Sequence, residues 1–257
     1  LFLLILYGYF IEPEWVIVRH IRLSPNPTCR LVHITDIHYR GDESYFTGIV
    51  DEINRIAPDF VCVTGDLIDD KRYLNEALTI LQRTACPIFG IPGNHEYWSG
   101  VSSDEMRPVF RRTGGDWLEN RQIRFGNIEI VGMVREAYSK PSFVNYSAHH
   151  AEKSYGTLLK SASDEALPEK RLLLIHYPAF VEKVPPEQFD LILAGHSHGG
   201  QVRVPLMGAL MVPYEVGDYD RGRFETEAGT LYVNPGIGTY GVSMRLFCRP
   251  EITVITF

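Results

Sequence analysis

The sequence predicts an α/β fold in one large domain, and three observations carry that reading. Apolar runs of strand length alternate with stretches of helical period through the first ninety or so residues, after which the runs are mostly strand-like. The runs end in short polar knots. No internal repeat, low-complexity tract or clear linker divides the chain, and 257 residues at 45% apolar composition suffice for a full core.

The opening LFLLILYGYFI places mostly apolar residues before Glu12, too few to cross a bilayer, which needs about 20. Residues 1–14 read either as the tail of a longer membrane anchor or as a buried first strand or helix, ahead of a domain over 15–257. Arg19 and Arg22 would suit a cytoplasmic flank. WVIVRHIRL, from Trp15, alternates like a half-buried strand; SPNP turns the chain, and RLVHIT runs into Asp36. Tyr45, Phe46, Ile49, Val50, Ile53 and Ile56 then share one helical face. DFVCVTG at 59–65, a helix over about 73–84 carrying Leu74, Ala77, Leu78 and Leu81, and PIFGI at 87–91 repeat the pattern. Later runs are IEIVGM, RLLLIH, DLILAG, TLYVN and the final EITVITF.

The net charge of -7 argues against an extended basic face, so no nucleic-acid partner is expected, and no protein partner is evident. The four cysteines are scattered without a CxxC pair and read as reduced thiols, Cys62 and Cys86 packing as small hydrophobes.

Chemistry concentrates in the knots. Asp36-Ile-His38, Gly65-Asp66, Gly93-Asn94-His95-Glu96, His176 and Gly195-His196-Ser197-His198 each come directly after a strand, at the sheet edge where α/β folds bind ligands. Carboxylates, an asparagine carbonyl and imidazoles together suit Mn, Fe, Co or Zn. Two such ions about 3.5–4 Å apart would clamp a phosphoryl oxygen and activate water. A single strand-end aspartate is usually a turn former, and His33, inside an apolar run, reads as a core residue. Five of nine histidines in these knots make the joint reading the stronger one.

DIH, GDLID, GNHE, LIHYP and GHSHGGQ, in that order, resemble the calcineurin-like metallophosphoesterases over residues 30–257. The resemblance implies a four-layer αββα sandwich of two mixed sheets flanked by helices, with two divalent ions, Mn foremost, at the sheet ends. It implies one ion on Asp36, His38 and His198, the other on Asn94, His176 and His196, and Asp66 bridging both. His95 would be catalytic beside the leaving oxygen. The C-terminal GHSHGGQVRVP to GIGTYGVSMRLFCRPEI, the apolar start and the EPEW element resemble the family's membrane-associated bacterial branch.

That branch implies a membrane surface and holds both poorly defined phosphodiesterases and a lipid A pathway enzyme; the apolar and basic residues of the stretch 134–170 point to a lipid-linked nucleotide substrate. The expected reaction is hydrolysis of UDP-2,3-diacylglucosamine to lipid X and UMP, in lipid A biosynthesis at the cytoplasmic face of the inner membrane. A generic phosphodiesterase or phosphomonoesterase, an exported anchored form and a non-catalytic metal-binding scaffold are the alternatives. Residues 134–170 are a candidate substrate-capping insertion, with Arg135, Phe143 and Tyr146 as substrate contacts, although 149–160 also reads as an amphipathic helix on the sheet. Arg40 is a candidate phosphate clamp. Tyr39 would stack on uracil or merely fill the strand end.

Overall fold

The computed structural model describes residues 2–134 and 168–257. Arg135, Phe143 and Tyr146, and with them most of the expected capping insertion, lie outside the described residues.

Five helices are present among the described residues: α1 (Phe2–Phe10), α2 (Glu43–Ile56), α3 (Leu74–Leu81), α4 (Asn94–Trp98) and α5 (Ser103–Arg112). The strands begin with β1 (Ile17–Arg22), β2 (Arg30–Ile34), β3 (Phe60–Thr64), β4 (Ile88–Ile91) and β5 (Asp116–Trp117). They continue with β6 (Arg121–Phe125), β7 (Ile128–Gly132), β8 (Lys170–Leu174), β9 (Leu191–Ala194), β10 (Arg203–Val204) and β11 (Gly208–Ala209). The last three are β12 (Gly222–Thr226), β13 (Gly229–Val233) and β14 (Glu251–Thr256).

One six-stranded sheet runs β1-β14-β2-β3-β4-β5 and the other β12-β13-β9-β8-β7-β6, while β10 and β11 form a separate hairpin. Both sheets are mixed. In the first, β2 to β5 are parallel and β14 returns antiparallel beside β2. In the second, β13, β9, β8 and β7 are parallel, with antiparallel partners at both edges.

Period-2 alternation decides what each face buries. Leu31, Phe60, Cys62 and Phe89 point inward and meet Ile130, Leu172, Leu174, Leu191 and Leu193 of the other sheet. Val32, Ile34, Val61 and Val63 point outward onto α2, α3 and α5, through Phe46, Ile49, Ile53, Leu78 and Phe110. A third cluster covers the far face of the second sheet with Val181, Val184 and Phe189. The sandwich of two mixed sheets with flanking helices is the fold the sequence predicts.

Local signals fix the helix ends. Asp42 accepts the Tyr45 N–H at 3.0 Å, capping α2, and Ala57 closes it in a left-handed conformation. Helix α5 has no counterpart in the sequence reading. Only Met106, Val109 and Phe110 are buried along it, and Pro108 interrupts the pattern, but Glu105 reaches back to the Ser102 N–H as a capping box.

The first residues depart from one expectation. Helix α1 is not buried: Leu3 is 78% and Phe10 73% exposed, and only Gly8 packs closely, against Met244 and Arg245. Contacts with the segment around Arg245 to Cys248 hold the helix in place. The buried Glu12 carboxylate accepts the Phe247 and Cys248 N–H groups, and the Gly8 carbonyl accepts the Arg245 N–H at 2.9 Å. Nearby, the β10–β11 hairpin exposes Leu206, Met207, Leu210 and Met211. Among the described residues, no helix is long and apolar enough to cross a membrane.

Candidate metal centre at the strand ends

The five knots converge at the ends of β2, β3, β4, β8 and β9. Parallel pairing of β2, β3 and β4 brings Asp36, Asp66 and Asn94 to one edge, and β8 and β9 bring His176 and His196 from the facing sheet. A left-handed backbone turns several of these side chains inward: Asp36, His38, Asp66, His196 and His198 all have φ between 46° and 65°. Gly65 is required where it stands, because a Cβ there would lie 2.7 Å from His176 Nδ1 and nearer still to the Gly93 backbone.

Three buried carboxylate–imidazole groups gather here among the described residues, the third being His38, Asp66 and His95. Donor atoms of Asp36, His38 and His198 lie within 4.8 Å of one another, as do those of Asp66, His176 and His196. All six residues are buried. Asn94 joins the second group, its Oδ1 lying 3.1 Å from His176 Nε2. Asp66 Oδ2 stands 3.4 Å from His176 Nε2 and 3.6 Å from His38 Nε2, between the two groups. His95 Nδ1 and Asp69 Oδ1 are 3.2 Å apart, and the His95 backbone N–H donates to Asp66 Oδ1.

The hydrogen bonds around the cluster show that it fits cations. His38 directs Nδ1 at Asp69 Oδ1, 2.6 Å away, and His176 directs Nδ1 at the Thr64 carbonyl, 2.7 Å away. A neutral ring donating from Nδ1 presents a lone pair at Nε2. The His176 lone pair faces the oxygens of Asp66 and Asn94, and the His38 lone pair stands 3.6 Å from Asp66 Oδ2. Acceptors facing acceptors in a buried site need positive charge between them. His176 expresses the same demand through a proton: burial opposes its charge, but Asp66 and Asp36 outweigh burial and raise it to about 9. Burial holds His196 down to about 3 and His198 well below the usual range, leaving the neutral rings that metal ligation needs.

Several working residues escaped the sequence reading. Asp69 touches His38, His95 and Arg40, and these contacts outweigh burial to hold its carboxyl far below the ordinary range. Glu96, 1% exposed, accepts the N–H groups of Asp66, Leu67 and Gly93 at 2.9, 2.8 and 2.7 Å. Asp69 closes the motif GDLID and Glu96 the motif GNHE, so position was the available signal. Arg245 is fully buried and donates to the carbonyls of Pro235, Gly236, Gly238 and Cys248, shaping the loop beside Asp36. A lone charge in the run VSMRLFC could have pointed to it.

The candidate substrate contacts fare differently. Tyr39 is 3% exposed and packs against Phe46 and Tyr73, so it fills the strand end and cannot stack on a base. Arg40 reaches the rim of the site, where it pairs with Asp69 and donates to the Thr239 carbonyl at 2.9 Å. Its guanidinium is engaged in holding that rim.

The fold and this centre define a metal-dependent phosphoesterase, and comparison with known proteins agrees. The calcineurin-like phosphoesterase profile matches residues 29–200, and the chain belongs to that family. It is 28% identical to the phosphodiesterase YaeI of Escherichia coli, covering 97% of this chain and 91% of that protein. It is 29% identical to a metallophosphoesterase, YkuE, of Bacillus subtilis, over 97% and 89%. A Campylobacter jejuni metallophosphoesterase is 30% identical over 88% of this chain, which spans 58% of that longer protein. Among solved structures, a dimetal phosphatase from Danio rerio superposes with a TM-score of 0.53 at 14% identity, over 90% of this chain and all of that one.

Proposed function

We propose that this chain hydrolyses phosphodiesters with two divalent ions, one held by Asp36, His38 and His198, the other by Asn94, His176 and His196, with Asp66 between them. The observation that carries this is the adjacency of the buried donor groups Asp36–His38–His198 and Asp66–His176–His196, with Asp66 Oδ2 within 3.6 Å of both His38 Nε2 and His176 Nε2. Manganese is the first metal to test, since mixed carboxylate and imidazole ligands suit it, as they do Fe, Co and Zn. Ions bound there supply Lewis-acid activation of water and charge for the phosphoryl oxygens.

The chain's own residues divide the remaining work. Asp69 holds the Nδ1 side of His95, leaving Nε2 for the substrate. Burial disfavours the charged ring, but the Asp69 hydrogen bond and the charges of Asp66, Asp69 and Glu96 outweigh it and raise the His95 pKa. A ring biased toward its protonated form can donate Nε2–H to the departing oxygen. Glu96 fixes the backbone between Asp66 and Gly93, so the clusters are set before substrate arrives.

A second reading keeps the same chemistry and makes the substrate a lipid-linked nucleotide, UDP-2,3-diacylglucosamine, cleaved at a membrane surface on its cytoplasmic side. The exposed apolar α1 and the Leu206–Met211 hairpin favour it. The test compares UMP release from UDP-2,3-diacylglucosamine in detergent with cleavage of bis(p-nitrophenyl) phosphate, with Mn added or chelated. Faster metal-dependent UMP release supports the lipid reading, diester cleavage alone removes it, and activity unaffected by chelation removes the metal assignment.

A further inference from the structure

Two large aromatic side chains stand half exposed against the candidate catalytic histidine. Trp98, the last residue of α4, is 53% exposed, with its ring 4.9 Å from the His95 ring. Tyr240 is 48% exposed and lies 4.9 Å from His95, 5.7 Å from His38 and 6.4 Å from His198. Its place is fixed by Gln201, three residues beyond His198. The Tyr240 N–H donates to Gln201 Oε1 at 2.6 Å, and Gln201 Nε2 donates to the Tyr240 and Val242 carbonyls at 3.0 and 3.3 Å. Two separate segments therefore present an aromatic ring to the same imidazole and leave much of each ring open to solvent.

Such exposure forgoes hydrophobic stabilisation unless a ligand covers it. His95 is where the proposed mechanism releases the leaving group, so the two rings border the path that group takes. A planar π system is the ligand class that gains most from aromatic walls, through stacked or edge-to-face contacts. We infer that Trp98 and Tyr240 form a leaving-group subsite that selects phosphodiesters and diphosphates carrying an aryl or nucleoside group over those carrying a small alkyl group. The inference rests on the hydrolase reading above, and it transfers to these residues the base-stacking role that Tyr39, buried in the core, cannot fill.

The test pairs kinetics with binding. In the Mn-loaded full chain, the kcat/KM ratio for bis(p-nitrophenyl) phosphate over glycerophosphoethanolamine should fall about tenfold in Trp98→Ala and in Tyr240→Ala, and recover in Trp98→Phe and Tyr240→Phe. Independently of turnover, UMP should quench tryptophan fluorescence more than glycerol 3-phosphate does, and Trp98→Phe should abolish that difference. Unchanged ratios in both alanine variants, or equal quenching by the two phosphates, would overturn the subsite while leaving the metal centre intact. Selective quenching by UMP without hydrolysis of either diester would uphold the subsite and remove the hydrolase reading.

Discussion

Glu96 gives the most direct test of how the centre is built. Its carboxylate, 1% exposed, is the acceptor for three backbone N–H groups, from Asp66, Leu67 and Gly93. Glu96→Ala leaves those donors facing a cavity. Each buried donor left unpaired costs about 1–3 kcal/mol, and removing a charge buried near Asp66 returns part of that, so a net loss of roughly 3–5 kcal/mol is expected. At about 2–4 °C per kcal/mol for a domain of this size, the melting temperature should drop by roughly 10 °C. Glu96→Gln keeps one acceptor oxygen and should fall in between. Thermal unfolding by circular dichroism measures the drop, and calorimetric Mn titration should show weaker binding, because Asp66 and Asn94 flank the freed backbone. A melting temperature within about 2 °C of the parent would refute the reasoning, since three unsatisfied donors cannot cost so little.

Four further outcomes are expected. Asp69→Asn should weaken Mn binding about 10–100-fold, measured by calorimetry, because His38 loses the carboxylate that orients it. His95→Gln should lower kcat by about 10²–10⁴ with little change in metal content, and the parent's kcat should decline as pH rises through the raised His95 pKa, where the donating proton is lost. His33 is held neutral by burial, its pKa lowered to about 3, whereas the unfolded chain protonates it near 6.5. Its contribution is therefore complete above the unfolded value and is lost as pH falls toward 3, by about 1.4 kcal/mol per pH unit; urea unfolding of His33→Gln should show a shallower loss there. Met207→Asp with Leu210→Asp should reduce sedimentation with anionic vesicles without altering soluble-diester hydrolysis.

Much of this architecture is legible in the residues alone. Strands such as Phe60–Thr64 and Leu191–Ala194 are short apolar runs that end in polar knots, and period alone separates them from Glu43–Ile56. The candidate metal-holding residues are legible because chemistry restricts them: few residue types ligate divalent ions, and five knots repeat the same few. Positioning groups are not, because their types are ordinary. Asp69 and Glu96 differ from any surface carboxylate only in what they touch, and a contact such as Phe247 N–H to Glu12, 235 residues apart, leaves no local trace. Tyr39 misleads for the converse reason: adjacency to His38 in sequence suggests the pocket, but the left-handed backbone at His38 breaks strand alternation and the ring packs against Phe46. Composition leaves residues 1–14 open between an anchor tail and a buried element, because it registers apolarity and cannot register whether a partner surface exists.

The span of the centre in sequence sets an order of events during synthesis. The N–H of His196 donates to Asp36, 160 residues earlier, and His38 meets His198 across the same separation. A ribosome delivers Asp36, His38 and Asp66 long before His176, His196 and His198, and contacts that distant form late in folding. His38, Asp66 and His95 come together from the first sheet alone, whereas the groups of Asp36 with His198 and of Asp66 with His176 and His196 need both sheets. Under the two-ion proposal, full metal loading would therefore be a late step, open only to chains in which both sheets have met.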